Sequence, residues 1–129
     1  MITISVSTYI TLPSTVIENR QYGYLSCFQA TSDQIPSVVT VFASLAKPNQ
    51  GANIKAQQYD PETGEFFDVS FAGGTIVFDI DVNNELQCDF LRTTFTEPGT
   101  YEFDTLVVNK ETFQQIFSTS YIVQVLPAS

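Results

Sequence analysis

The sequence predicts an all-β fold, an antiparallel β-sandwich of seven to nine strands, and three observations support it. Short runs rich in Val, Ile, Phe, Tyr, Ser and Thr recur about every 8–12 residues. Gly, Pro, Asn and Asp, each a turn former for its own steric reason, separate those runs. No long segment places apolar residues at the 3.6-residue helical period. The chain has 129 residues, 43% of them apolar and only 15% charged. That length suits one domain, residues 1–129, with a core of its own, and the composition excludes intrinsic disorder.

Candidate strands fall at residues 2–12, 23–30, 37–45, 54–59, 65–71, 75–82, 86–94, 100–108 and 115–126. The first, Ile2-Thr-Ile-Ser-Val-Ser-Thr-Tyr-Ile-Thr-Leu12, alternates and carries no charge. It lacks the basic n-region and unbroken apolar h-region of a signal peptide, so it reads as a strand. An uncharged alternating strand is an aggregation hazard on an open edge. It is therefore expected to pair within its sheet or to be donated to a neighbouring subunit. Lys47-Pro-Asn-Gln-Gly-Ala-Asn53 breaks regular structure and reads as a long loop. Asp60-Pro-Glu-Thr-Gly64 supplies Pro where φ must be near −65° and Gly where φ must be positive, which defines a tight hairpin. Ala72-Gly73-Gly74, Asp81-Val-Asn-Asn84 and Asn109-Lys-Glu-Thr112 supply three further turns. Asn109 is also a competent helix cap, but the flanking strands and aromatics suit a hairpin better.

Two segments resemble known sequence patterns. Gly23-Tyr-Leu25-Ser-Cys27-Phe-Gln-Ala30 is similar to the second strand of an immunoglobulin-type domain, in which an apolar residue and a Cys both point inward. Glu97-Pro-Gly99-Thr-Tyr101-Glu-Phe103 resembles the corner that opens the sixth strand of such domains. The resemblance to the immunoglobulin-like β-sandwich superfamily implies that the Tyr101 hydroxyl bonds back to the backbone. It implies too that Phe103 holds the second Cys position and faces Cys27 across the sheets. With no Trp in the chain, Phe42 is the aromatic left for the third strand. Cys27 and Cys88 are too few for a disulfide scaffold and read as two buried thiols, with one disulfide between them as the alternative.

Five Lys and Arg against fourteen Asp and Glu give a net charge of −9. A field of that sign repels phosphate backbones, so nucleic acid is excluded as a partner. No 18-residue apolar run is present, so no helical membrane insertion is expected. The absence of His removes the commonest general base and metal ligand. Lys47, Lys55 and Lys110 sit at turns or strand ends, where solvent is available. No catalytic site and no cofactor are expected. Asp79, Asp81, Asn83 and Glu85 share one strand face at a spacing of two and form a weak calcium candidate. It departs from an EF-hand loop at Asn84, where Gly is required, and at Phe90, where a bidentate Glu is required.

Adjacent Phe66 and Phe67 cannot both face one core, since strand neighbours point to opposite faces. Tyr24 against Leu25 and Cys27 against Phe28 pose the same conflict. Such two-sided strands point to subunit contact, a local bulge or carbohydrate, with Ile2, Ile4, Val6, Tyr22, Tyr24, Phe66 and Phe67 as interface candidates. The function expected is that of a non-enzymatic structural subunit or decoration protein of a large assembly, such as a virion capsid or tail accessory protein or a surface filament. Its partners would be protein subunits of the same or a different kind, at a virion or cell surface. The alternative is an extracellular adhesion module that binds carbohydrate or a receptor.

Overall fold

The computed structural model describes residues 3–34 and 37–129. Ten strands are present: β1 (Ile4–Ile10), β2 (Thr15–Ile17), β3 (Gln21–Ser32), β4 (Val38–Leu45), β5 (Ile54–Asp60), β6 (Glu65–Val69), β7 (Thr75–Asp81), β8 (Leu86–Phe95), β9 (Gly99–Asn109) and β10 (Gln115–Leu126). They form two five-stranded sheets, β1-β3-β8-β5-β6 and β2-β10-β9-β4-β7. The chain is an all-β sandwich. The strand beyond the expected seven to nine is β2, whose three residues are too few to show alternation and which pairs parallel with β10.

β1 pairs antiparallel with β3, from Ile4 opposite Ser32 to Ile10 opposite Ser26. It is the edge strand of its sheet, paired on that one side, and Ile4 and Val6 of its alternating row pack against the core. Residues 47–53 are no plain loop, because Pro48–Asn53 winds into a 3₁₀ helix. Pro at its start presets φ. Gly51 is required there because the Phe71 carbonyl occupies the space a Cβ would fill. The Asp60–Gly64 turn closes with Gly64 at φ 74° and its N–H donating to the Asp60 carbonyl at 2.8 Å. At Asn109 a turn forms rather than a helix: the Asn109 side chain accepts from the Glu111 N–H at 2.9 Å, and Phe113 adopts φ 59°.

Opposed residues in an antiparallel pair share a face, so register identifies the inner side of each strand. In β3, Tyr22, Tyr24 and Phe28 pack inward on the core, with Ala30 buried among them. Leu25 and Cys27 therefore face outward, opposite to the orientation the immunoglobulin resemblance implies. The core is divided. One cluster gathers around Val16, Leu45, Phe95, Tyr101 and Val123, and a second around Ala30, Val39, Val41, Val82 and Val107. Between them the inward row of the second sheet is Thr119, Thr105 and Ala43, and Ser26 and Asp89 oppose each other in the first. These side chains are too short to close the gap, and a cleft of about 330 Å³ lies between the sheets.

Candidate binding face

The outer side of the β1-β3-β8-β5-β6 sheet carries the residues that a two-layer sandwich would normally replace by polar ones. Leu25 stands opposite Phe90, and Tyr59 opposite Phe66. The Phe66 ring lies 5.4 Å from Tyr59 and 6.0 Å from Phe90, centroid to centroid. Leu25 and Phe90 remain 40% and 42% exposed, so the row is open to solvent rather than folded under a loop. Gly23 explains how the Phe90 ring lies flat: a Cβ at position 23 would meet it at 3.1 Å. A side-chain-free position inside a strand is the usual mark of such a close approach.

A basic and polar strip borders the aromatic row. Arg92, paired with Gly23 on one side and Gln57 on the other, stacks its guanidinium 3.7 Å above the Phe66 ring. Its Nε donates to Gln57 Oε1 at 2.6 Å, and Gln57 Nε2 donates to Asp68 Oδ1 at 3.0 Å. Stacking plus this chain of hydrogen bonds holds the cation in one orientation. Exposed Lys55 lies beside it at the rim of a shallow depression of about 460 Å³. Two of the chain's five cations thus meet on one sheet face.

The opposite outer face, on the second sheet, has the other sign. Asp79, Glu102 and Asp104 lie there with exposed Val77 and Ile122. The neighbouring Asp104 carboxyl pushes the Glu102 pKa up. A hydrogen bond from Lys110 holds the Asp79 carboxyl below the usual carboxylate range.

Several residues singled out from the sequence take other places. Cys27 and Cys88 are not thiols: they oppose each other across β3 and β8 and form a disulfide. Both therefore lie on the outer face, and Phe103 does not face Cys27 across the sheets; it packs inward against Phe71 and Phe95. Tyr101 is 1% exposed and its hydroxyl donates to the Glu97 carbonyl at 2.8 Å. Phe42 belongs to neither core cluster, because inward Val41 is its strand neighbour and Phe42 falls on the outer side. Tyr22 and Tyr24 are core rather than surface: the Tyr22 hydroxyl accepts from the Ile17 N–H, and Tyr24 bonds the Thr93 hydroxyl, each at 2.9 Å. Phe66 lies on the outer face. Phe67 points to the inner side at the sheet edge, 47% exposed. Ile2 falls outside the described residues.

The calcium candidate does not come together. Asp79 is taken up by Lys110 and Thr40, Asn83 accepts from the Glu85 N–H in a local turn, and β7 ends at Asp81. Among the described residues, no group of three or more acidic or thiol side chains is arranged to hold a metal ion. Leu25, Phe90 and Arg92 were not among the interface candidates. For Leu25 and Phe90 the signal in the sequence is an apolar residue next to an inward one; for Arg92 the sequence carries no such signal.

No protein-family model and no curated protein matches the chain. Solved structures do resemble it. The CARDB domain of a Pyrococcus furiosus protein, determined in solution, superposes with a TM-score of 0.59 at 14% identity, covering 98% of each chain. AvmM, which catalyses macrocyclization in alchivemycin A biosynthesis, gives 0.54 at 8% identity over 97% of this chain and 92% of its own. A conjugative transposon lipoprotein from Bacteroides eggerthii gives 0.51 at 12% identity over 93% and 95%. At such identities the likeness shows the β-sandwich fold alone.

Proposed function

We propose that the chain is a non-catalytic assembly subunit whose aromatic and basic sheet face docks against the acidic sheet face of a second copy. The observation that carries this reading is the open apolar row Leu25–Phe90 beside Arg92 and Lys55. Exposed apolar patches rimmed by polar groups mark interaction surfaces, and the acidic face supplies the complementary charge. A contact between two different faces is heterologous, so it propagates into a ring or an open filament. That geometry suits a surface filament or a virion decoration layer. The disulfide fits the same setting, since disulfides persist at virion and cell surfaces and in extracellular space. Kinship with immunoglobulin-like domains is supported by the Tyr101 corner and by the strand order β10-β9-β4 in one sheet and β1-β3-β8 in the other.

Sedimentation velocity over a concentration series tests the proposal. Association is expected up to roughly 1 mM, where an interface of about −4 kcal/mol is half-populated. Added salt and Lys55→Glu should both weaken it, and mixing the Lys55→Glu chain with a Glu102→Lys chain should restore it. A wild-type chain that stays monomeric throughout overturns this reading. If such a monomer bound an immobilised glycan through the same face, the adhesion module would replace it.

A further inference from the structure

The cleft between the two sheets lies apart from the docking face, on the other side of the first sheet, and we infer that it binds a small organic amine with an aromatic or aliphatic body. Its walls are largely apolar, with Phe28, Phe78 and Phe103 in the lining. At about 330 Å³ it falls at the lower end of ordinary small-molecule sites. Into this surface projects one carboxylate. Asp89 lies on the inner side of β8, opposite Ser26, and among the described residues it has no hydrogen bond and no ion pair. The other titratable side chain facing the cleft is a phenol, Tyr121, whose hydroxyl is already engaged by the Leu12 carbonyl; Tyr9 borders it through its backbone, since it opposes Cys27 and turns its ring to the outer side.

Asp89 is exposed at the mouth of the cleft, so its unpaired carboxylate is reachable by a cation whose body lies among the apolar walls. Desolvation also raises the Asp89 pKa. A divalent metal would want several oxygen ligands of the carboxylate kind, and Asp89 stands alone in that respect. An ammonium needs one carboxylate and a few hydroxyl acceptors, which Ser26, Thr105 and Thr119 provide. The neighbouring aromatic rings add attraction for the same charge. The chain's net charge of −9 draws cations toward the opening. The inference does not depend on the assembly role, because the docking residues face away from this cleft.

The test uses 2-phenylethylamine and 3-phenylpropionate, which share a shape and differ in the sign of the charge. Each is titrated into the isotope-labelled chain at neutral pH while amide resonances are followed. The amine should shift the amides of Ser26, Thr105 and Thr119 in a saturable way, and the acid should not. Asp89→Asn should weaken amine binding by about tenfold or more, the equivalent of one good charge-assisted contact. Thr105→Phe, which fills the cleft, should abolish it. Three results would each overturn the inference: no saturable shift at the cleft, equal affinity for the two compounds, or unchanged binding by the folded Asp89→Asn chain.

Discussion

Cys27 and Cys88 face one another across the neighbouring strands β3 and β8, with Cα atoms 4.0 Å apart, and their disulfide lies on the outer side of the sheet. It closes a loop with a sequence separation of 61 between its ends. The loop also contains β4 to β7, so the bridge ties the centre of one sheet to a segment that runs through both.

Loop closure of that length accounts for about 4 kcal/mol in the chain-entropy picture. Reduction, or the double substitution Cys27→Ala/Cys88→Ala, should lower stability by about 2–4 kcal/mol and the thermal midpoint by about 10 °C. Calorimetry with and without reductant measures it. An unchanged midpoint would contradict a formed bridge.

Gly51 and Gly64 should respond differently to alanine. At Gly51 the new methyl collides with the backbone of Phe71, which cannot move without dislodging the chain after β6, and a loss of about 3 kcal/mol or more is expected. At Gly64 the space is open and only the positive φ is strained, for a loss of about 1 kcal/mol. Urea denaturation of the two variants should rank them in that order.

Tyr101→Phe removes the hydrogen bond to the Glu97 carbonyl while keeping the ring that packs on Phe95. About 1 kcal/mol should be lost. Tyr101→Ala also empties a core position and should cost about 3–5 kcal/mol. Near-equal effects would mean that the ring contributes little and the corner everything.

Two carboxylates should give opposite pH signatures. Burial raises the Asp89 pKa in the folded chain, so its effect is destabilising and grows as pH rises from about 3.9 through the raised folded value. Asp89→Asn should therefore gain on wild type across that window. Asp79 is depressed by Lys110, so its contribution is present above about 3.9 and fades as pH falls through the lower folded value. Asp79→Asn should be less stable than wild type at neutral pH and indistinguishable at acid pH. Unfolding curves from pH 2 to 8 would show whether the two variants diverge in this way.

Nine of the strands were legible because each spans enough residues to show alternation and ends in a turn with steric cause, as at Gly64. β2 escaped because parallel pairing of three residues leaves no period, and the 3₁₀ helix because its packing on Phe71 is a tertiary contact. The binding face was half legible. Phe66 against Phe67 and Tyr24 against Leu25 announced that one residue of each pair must face away from the core, but periodicity does not say which. The short motif around Cys27 assigned Leu25 and Cys27 inward, whereas packing of Tyr22, Tyr24 and Phe28 puts them outside. Asp89 was invisible as a site residue, since the cleft beside it arises from small side chains on strands distant in sequence, Ser26 and Thr105 among them.

The most direct test is a structure of the assembled form, with the surface that each copy buries measured residue by residue. Leu25, Phe90, Lys55 and Arg92 of one copy should be buried against Glu102 and Asp104 of the next, in an interface of at least about 1,000 Å² in total. An assembly in which the Leu25–Phe90 row stays in solvent, or in which that contact falls well below this area, would contradict the proposed role.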